Sequence, residues 1–409
     1  MKYVVDDTII YIKKADYTML YHRKLHKYFK LNSTLDNVLL KFIDACDIEN
    51  FDEREQEMAK SLAEQNIIVP CDHNKRSMCK LRKSVGEYPL DIVQIEITKR
   101  CNFRCDHCYI RNSKQINYND MMKDDVFKII DDASQMGVFE FNITGGEPLL
   151  HPDIEEILKY IYEAGMRTRI YTNGYLITDR LIELFKKLDV YRVRISVDGK
   201  DSVTHDKIRG VQSLDIILNN IEKLTEAGIN VEITTTLMKD NINDVNDLLK
   251  KFENRERVFH IIDTYISEEK NDPLKITEQE YVDAIKRRFI NWNYCDRCNK
   301  SVKLHCGIAD YYLFIASDGV GKLCPTLPKS YDLKNVLKVG LKAVWDEIIN
   351  KYYGTVICNK KSECEYGKVC DGGCRSRALY TNGNIISEDT YMCKMYEYLV
   401  NREQKEDRT

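Results

Sequence analysis

Residues 97–110 read ITKRCNFRCDHCYI and place three cysteines, Cys101, Cys105 and Cys108, at the spacing C-x3-C-x2-C. Structural zinc sites use four ligands, so three thiols leave one position to be filled. Three thiolates can hold a [4Fe–4S] cube by three of its irons, and the fourth iron is then open to a ligand that is not a side chain. A zinc site completed by His107 or by a distant residue is the alternative at this point.

The chain around this stretch alternates between β-rich and helical patterns from about residue 90 to residue 268. Several of the helical patterns end at a glycine, as helix C-termini often do. Six strand–helix units predict an α/β fold in which a parallel sheet curls into a partial (β/α)6 barrel. The six β-rich runs are DIVQIEIT, FEFNIT, MRTRIYT, YRVRISVD, NVEITTTL and VFHIIDTY.

Polar or glycine-rich motifs follow the first four of these strands. The three-cysteine loop follows the first strand, and TGGEP, TNG and SVDG close the second, third and fourth. Barrels of parallel strands build their sites from the loops at the C-terminal ends of the strands. The four motifs are therefore expected to converge on one face.

The combination of Cys101-x3-Cys105-x2-Cys108 with GGEP resembles the radical S-adenosylmethionine (SAM) family, over residues 90–270 or so. The resemblance implies that the open iron binds the amino and carboxylate groups of the methionine part of SAM. One electron from the cube then cleaves SAM, and the 5′-deoxyadenosyl radical abstracts a hydrogen from the substrate. A non-enzymatic alternative, an iron–sulfur redox sensor, predicts no SAM cleavage.

The same resemblance implies a set of SAM-binding residues. The GGE loop would meet the amino group of SAM, the SVDG segment its ribose or carboxylate, a histidine the adenine and an arginine the carboxylate. Ordinary turns and solvated side chains are the alternatives for the weaker members, and the asparagine of TNG is ordinary turn chemistry. The residues are Gly145, Gly146, Glu147, Ser196, Asp198, His107 and Arg209.

The region from 290 to 400 is rich in cysteine and resembles the SPASM extension of radical SAM enzymes. Its first pair reads C-x12-G-x4-C, and the next gap is five residues where the extension has two. The resemblance implies two auxiliary [4Fe–4S] clusters, hence three in all, although a zinc-bound knot is an alternative. A fourth ligand for the first could come from Cys298; otherwise its open iron could bind a substrate thiolate. The ligands are Cys306, Cys324 and Cys374 for auxiliary cluster I, and Cys358, Cys364, Cys370 and Cys393 for auxiliary cluster II.

Residues 1–75 predict a winged-helix-like domain of three strands followed by helices, with Ser33 or Thr34 as the first N-cap. This order resembles the PqqD-like recognition element, which implies that the leader of a precursor peptide binds here as an added strand. A domain packed only for stability is the alternative. The acidic helix pattern DEREQEMAKSLAEQN argues against DNA binding. Residues 76–89 read as a linker, 90–289 as the barrel and 401–409 as a tail.

Composition excludes some classes of function. The 409 residues carry a net charge of −3 without a basic face, so nucleic acid is not the expected partner. The sequence has neither a signal peptide nor an apolar run that could span a membrane, which predicts a cytoplasmic protein. In a reducing compartment, 15 cysteines indicate metal binding rather than disulfides.

The expected activity is that of a peptide-modifying radical SAM oxidoreductase. It would remove a hydrogen from a ribosomally made precursor peptide and close an intramolecular crosslink, with a cysteine thioether favoured and carbon–carbon or carbon–oxygen bonds left open. An electron donor such as flavodoxin or ferredoxin is implied. Sulfatase-type maturases, which make formylglycine, have an aspartate directly after the cysteine of G-x4-C. Here Pro325 follows Cys324, which argues against that alternative.

Overall fold

The computed structural model describes residues 1–72, 75–84, 86, 89–111, 120–286, 306–368, 370 and 372–406. Cys295 and Cys298 lie outside these described residues. No helix in the described ranges is both long and apolar enough to cross a membrane.

The N-terminal region contains two small sheets and two helices, and side chains of both sheets and both helices share one hydrophobic core. One sheet has the strand order β5-β1-β6, and the other has the order β4-β3-β2-β7, in which β7 runs parallel to β2. The elements are β1 (Lys2–Val5), β2 (Ile9–Lys13), β3 (Thr18–His22), β4 (Lys27–Leu31), α1 (Ser33–Leu40), β5 (Cys46–Asp47), α2 (Glu53–Glu64), β6 (Ile68–Pro70) and β7 (Leu81–Lys83).

Two local expectations for this region are corrected. The N-cap of α1 is Asn32, not Ser33 or Thr34, because the Asn32 side chain accepts a hydrogen bond from the Leu35 amide at 2.9 Å. The segment expected to be a linker contributes β7. Arg82 of β7 is buried and donates to the Val138 carbonyl at 2.5 Å, which ties the N-terminal region to the barrel.

The partial barrel predicted from the alternating pattern is confirmed, because all six parallel strands are present in chain order. They are joined by helices that each bury one apolar stripe. In α3 this stripe consists of Val126, Ile129, Ile130 and Ala133. The elements are β8 (Ile92–Glu96), α3 (Lys123–Gln135), β9 (Glu140–Thr144), α4 (Ile154–Glu163), β10 (Arg167–Thr172), α5 (Asp179–Lys187), β11 (Arg192–Ser196), α6 (Ser202–Arg209), α7 (Leu214–Glu226), β12 (Val231–Leu237), α8 (Val245–Phe252) and β13 (Val258–Thr264).

The C-terminal region extends the barrel sheet, which the sequence did not predict. β14 pairs in parallel with β8, and the nine-stranded order is β13-β12-β11-β10-β9-β8-β14-β15-β16, so the sheet is open rather than closed. The cysteine-rich chain is therefore attached beside the strand that leads into the three-cysteine loop. The elements are α9 (Glu278–Ile285), β14 (Tyr312–Ile315), β15 (Val320–Lys322), β16 (Asp332–Asn335), α10 (Val336–Val339), α11 (Leu341–Lys351), α12 (Arg375–Asn382) and α13 (Thr390–Glu406).

Candidate functional site

The GGE loop lies directly against the segment that enters the three-cysteine loop. The Gly146 amide donates to the Thr98 carbonyl, and the Glu147 amide donates to the Arg100 carbonyl, both at 2.8 Å. A Cβ atom on Gly146 would lie 2.4 Å from the Arg100 oxygen, and one on Gly145 would lie 2.6 Å from the Thr98 oxygen. Both glycines are therefore needed for the close approach of two backbones, one residue before Cys101.

Glu147 is fully buried and connects the GGE loop to the TNG loop. Its carboxylate accepts hydrogen bonds from the Asn173 amide at 2.7 Å, the Thr172 hydroxyl at 2.8 Å and the Leu149 amide at 3.0 Å. Burial raises the pKa of Glu147 to about 7, although these donors oppose the shift. Contact with the SAM amino group stays a prediction, and the structure adds a positioning role that the motif alone did not indicate.

Asn173 has a larger structural part than its turn motif indicated. Its side-chain amide donates to the Asn102 side chain at 2.8 Å, within the three-cysteine loop, and its own oxygen accepts from the Tyr175 amide at 3.0 Å. The TNG loop thus holds the loop that carries Cys101 and Cys105.

Asp198, Arg209 and His107 form one buried cluster beside Cys105. The Asp198 carboxylate lies 2.6 Å from the Arg209 guanidinium and 3.6 Å from His107 Nε2. Arg209 Nη1 donates to Cys105 Sγ at 3.6 Å, which stabilises the thiolate form of that sulfur. The structure therefore brings together three of the predicted SAM-binding residues, and it connects them to a predicted iron ligand.

Asp198 itself is held by residues that sequence reasoning missed. The Thr236 amide donates to Asp198 Oδ1 at 2.7 Å, and the Asn241 side chain donates to the Asp198 carbonyl at 2.9 Å. The Asp198 amide donates to His205 Nδ1 at 3.2 Å. His205 and Arg209 are four residues apart on α6 and share one helix face, so the spacing in HDKIR could have indicated His205.

Ser196 is the last residue of β11 and is half-buried, two residues before Asp198. It pairs in register with Thr234 of β12. Its place at the C-terminal end of a strand agrees with the expected convergence of motifs, and its contact with SAM remains a prediction.

In each of the three predicted ligand sets, at least one cysteine sulfur accepts a hydrogen bond, which fits thiolates that bind iron. Cys101 Sγ accepts from the Phe103 amide at 3.4 Å, and Cys370 Sγ accepts from the Gly372 amide at 3.3 Å. The Ser376 hydroxyl donates to Cys324 Sγ at 3.6 Å. Within the described residues, no three His, Cys, Asp or Glu side chains form a ligand group for a single metal ion.

The cysteines predicted for auxiliary cluster I line one cavity together with the three-cysteine loop. This cavity has a volume of about 1070 Å³ and lies over the C-terminal ends of the barrel strands. His107 and Tyr109 line one part of it, and barrel side chains such as Tyr171, Arg194 and Asp263 line another. We call it the central cavity. Its cysteines are Cys306, Cys324 and Cys374.

The four cysteines predicted for auxiliary cluster II converge in a different place. They line a second, small cavity of about 30 Å³ near the start of α13. Burial, together with the neighbouring Asp389 and cysteines, raises the pKa of Cys393 to about 11. The four cysteines around this cavity are Cys358, Cys364, Cys370 and Cys393. Their role as cluster ligands stays a prediction, and Cys298 lies outside the described residues.

A buried ion pair lies between the two auxiliary sets. Asp389 Oδ2 accepts from the Cys374 amide at 2.7 Å and lies 2.6 Å from the Arg377 guanidinium. Arg377 also donates to the Thr264 hydroxyl at the end of β13, at 2.5 Å. The pair fixes the auxiliary region to the barrel strand that borders the central cavity.

Residues 95–252 match the sequence model of the Radical SAM superfamily, so this part of the chain is a radical SAM domain. A relative named AdoMet-dependent heme synthase, from Methanosarcina barkeri, is 26% identical over 73% of this chain and 95% of its own length. A Bacillus subtilis relative, antilisterial bacteriocin subtilosin biosynthesis protein AlbA, is 25% identical over 73% of this chain and 70% of its own length.

The crystal structure of Streptococcus suis SuiB bound to precursor peptide SuiA has a similar fold. The TM-score is 0.65 at 20% sequence identity, and the match covers 95% of this chain and 99% of SuiB. This match therefore includes most of the N-terminal region as well as the barrel and the cysteine-rich region.

Proposed function

Because the chain is an enzyme of the radical SAM superfamily, we propose that it modifies a ribosomally made precursor peptide by closing a crosslink, a cysteine thioether in the first instance. The observation that carries the proposal is the central cavity of about 1070 Å³, which the three-cysteine loop borders on one side and Cys306, Cys324 and Cys374 on another. A peptide side chain in this cavity reaches both a SAM site and an electron acceptor.

Each part of the chain has a separate task in this proposal. Cys101, Cys105 and Cys108 would hold the SAM-binding cluster, which supplies a reductively generated radical when SAM is bound. Glu147 holds the GGE and TNG loops in place, and Arg209 orients the Cys105 sulfur. The walls of the central cavity exclude water from the reacting carbon. The seven auxiliary cysteines would hold two further [4Fe–4S] clusters, and a flavodoxin or ferredoxin would supply the electrons in the cytoplasm.

The N-terminal region would bind the leader of the precursor. β4 is an edge strand of its sheet, and Lys27, Tyr28 and Lys30 along it are exposed. An edge strand offers unpaired backbone groups to an extended peptide. The fold similarity to SuiB, whose crystal structure holds the precursor peptide SuiA, extends over this region and supports a peptide as the substrate.

Heme synthesis is the second candidate, on the strength of the M. barkeri relative. A porphyrin would need cations for its carboxylates, and three arginines line the central cavity. Each is bound to other protein groups. Arg194 pairs with Glu232, Arg377 pairs with Asp389, and Arg375 donates to the carbonyls of residues 385 and 387. This arrangement favours the peptide.

The test is anaerobic incubation of the reconstituted protein with SAM, a reductant and the short peptide encoded beside its gene. Mass spectrometry should show the loss of two hydrogens, and tandem fragmentation should locate the bond at a cysteine. A loss of two hydrogens with the new bond at residues other than cysteine would indicate a carbon–carbon or carbon–oxygen crosslink. An unmodified peptide, together with turnover of an iron porphyrin, would overturn it.

Leader binding is tested on the full chain, because Tyr21 and Tyr28 lie against the guanidinium of Arg167 in the barrel strand β10. Deleting residues 1–75 would remove both rings. Lys30→Pro should weaken leader binding measured by fluorescence anisotropy, since proline cannot donate to a strand. Lys30→Ala is the matched control and should bind as the wild type does. SAM cleavage without peptide should be equal in all three proteins. Equal leader affinity in all three would contradict binding at β4.

A further inference from the structure

We propose that Asp263 is the catalytic base of the crosslinking reaction, which takes the second hydrogen of the peptide as a proton. This inference rests on the proposed peptide-modifying function. The sequence motifs assign no general base, because Pro325 stands where sulfatase-type maturases have their aspartate.

The stoichiometry of crosslinking requires such a group. When a C–H and an S–H bond give way to one C–S bond, the peptide loses two hydrogens. The first leaves carbon as a hydrogen atom and ends in 5′-deoxyadenosine. The second leaves sulfur as a proton, and one electron leaves with it. The cysteines predicted for the auxiliary clusters would hold iron–sulfur groups that can accept this electron, and the proton needs a base. Carbon–carbon and carbon–oxygen bonds have the same balance.

Asp263 is exposed to the central cavity, near the C-terminal end of β13. Among the described residues that line this cavity, it is the one with a carboxylate. Pro325 lines the same cavity. A carboxylate therefore enters the cavity from a barrel strand, instead of from the segment after Cys324.

The position of Asp263 is fixed from both sides. Asp263 pairs in register with Thr236, whose amide donates to Asp198 at 2.7 Å in the cluster beside Cys105. The next residue, Thr264, accepts from Arg377 at 2.5 Å in the ion pair that contacts the Cys374 amide. Asp263 thus lies on a strand, β13, that has contacts both to the SAM side of the cavity and to the auxiliary side.

The other carboxylates around the cavity are already neutralised. Asp198 pairs with Arg209, Asp389 with Arg377, and Glu232 with Arg194 at 2.6 Å. Each of these is buried, and a buried carboxylate that pairs with a guanidinium is a poor proton acceptor.

The experiment compares Asp263→Asn with the wild type, after the wild type has been shown to modify the peptide. The peptide is deuterated at the carbon that reacts. Asp263→Asn should lower the rate of crosslinked product by ~100-fold or more, the contribution of a general base. Deuterium transfer into 5′-deoxyadenosine should continue, because the hydrogen atom is removed before the proton. Asp263→Glu should restore part of the product. Asp179→Asn removes an exposed carboxylate of α5 that lies outside the cavity, and it is the matched control that should leave product formation near the wild-type rate.

Two results would overturn the assignment. Wild-type product formation in Asp263→Asn would show that the proton goes elsewhere. Loss of deuterium transfer together with product would show that Asp263 positions the peptide or supports the fold and is not the base. If the wild type itself leaves the peptide unmodified, the proposed function fails, and this is visible before any variant is made.

Discussion

At the N-terminal ends of the barrel strands, the guanidinium of Arg167 is enclosed by rings. The guanidinium carbon, Cζ, lies 3.8 Å from the centroid of the Tyr191 ring and 4.6 Å from the centroid of the Phe139 ring. The guanidinium also forms an ion pair with Glu140. Tyr21 and Tyr28 of the N-terminal region complete the enclosure. At the C-terminal ends, the strands open instead into the central cavity of about 1070 Å³.

Both ends of the barrel contain arginines paired with carboxylates, but their surroundings differ in the part of the chain that the structure describes. At the base, which the N-terminal ends of the strands form, aromatic rings of the N-terminal region cover the Arg167 guanidinium and stabilise its charge. At the top, the paired charges lie around the central cavity. The same kind of ion pair is therefore packed against rings at one end and borders the candidate site at the other.

The largest effect is expected at the top, from replacing Cys101, Cys105 and Cys108 by alanine. The variant should form no 5′-deoxyadenosine, because the cluster that binds SAM has lost its ligands. Iron content should fall by about four atoms per chain. Chromatography of the reaction and iron analysis measure the two results. If this variant still cleaves SAM, the assignment of the three-cysteine loop is wrong.

At the base, Arg167→Ala should have the second largest effect, and the effect should be on stability. It removes the nearer of the two cations beside the buried Glu140 and leaves only Arg169, 3.8 Å away, so the free energy of unfolding should fall by up to about 3–5 kcal/mol. Chemical denaturation measures this loss. SAM cleavage by the remaining folded protein should persist, since Arg167 lies at the opposite end from the three-cysteine loop. Arg180→Ala, on an exposed ion pair, is the control and should change stability little.

A smaller effect is expected from Gly146→Ala at the top. The added Cβ would meet the Arg100 oxygen at 2.4 Å, so the loops must separate at a cost of about 1–3 kcal/mol. Because this separation moves the backbone next to Cys101, SAM cleavage should fall more steeply than stability. Gly228→Ala meets no atom within 4 Å but lies at φ +85°, so it controls for a loss of stability from backbone strain far from the three-cysteine loop and should leave SAM cleavage near the wild-type rate. Equal cleavage by the two variants would contradict the positioning role of Gly146.

The smallest effect concerns the cap of α1 in the N-terminal region. Asn32→Ala should cost about 1 kcal/mol, because the Leu35 amide loses its acceptor. Ser33→Ala, at the residue that the sequence pattern favoured as the cap, should stay within about 0.5 kcal/mol of the wild type. Thermal unfolding measures the stability of both variants. A larger loss of stability in Ser33→Ala than in Asn32→Ala would show that Ser33 caps the helix.

The barrel was predictable in detail because its signals are local. The short β-rich apolar runs of the six strands and the spacing of apolar residues in the helices between them are properties of short segments. The extension of the sheet by β14 was not predictable, because its partner β8 lies more than 200 residues away in the chain. The role of Glu147 was missed for the same reason: its partners, Thr172 and Asn173, belong to the next strand–loop unit.

The sequence by itself determined the type of fold and the three-cysteine loop, since each follows from residue type and short spacing. Only the tertiary structure decided which loops touch, that the N-terminal region packs against the base of the barrel and that Asp263 enters the central cavity. These features depend on contacts between distant segments, and the free energy of such contacts is set by packing, which the linear order of residues does not express.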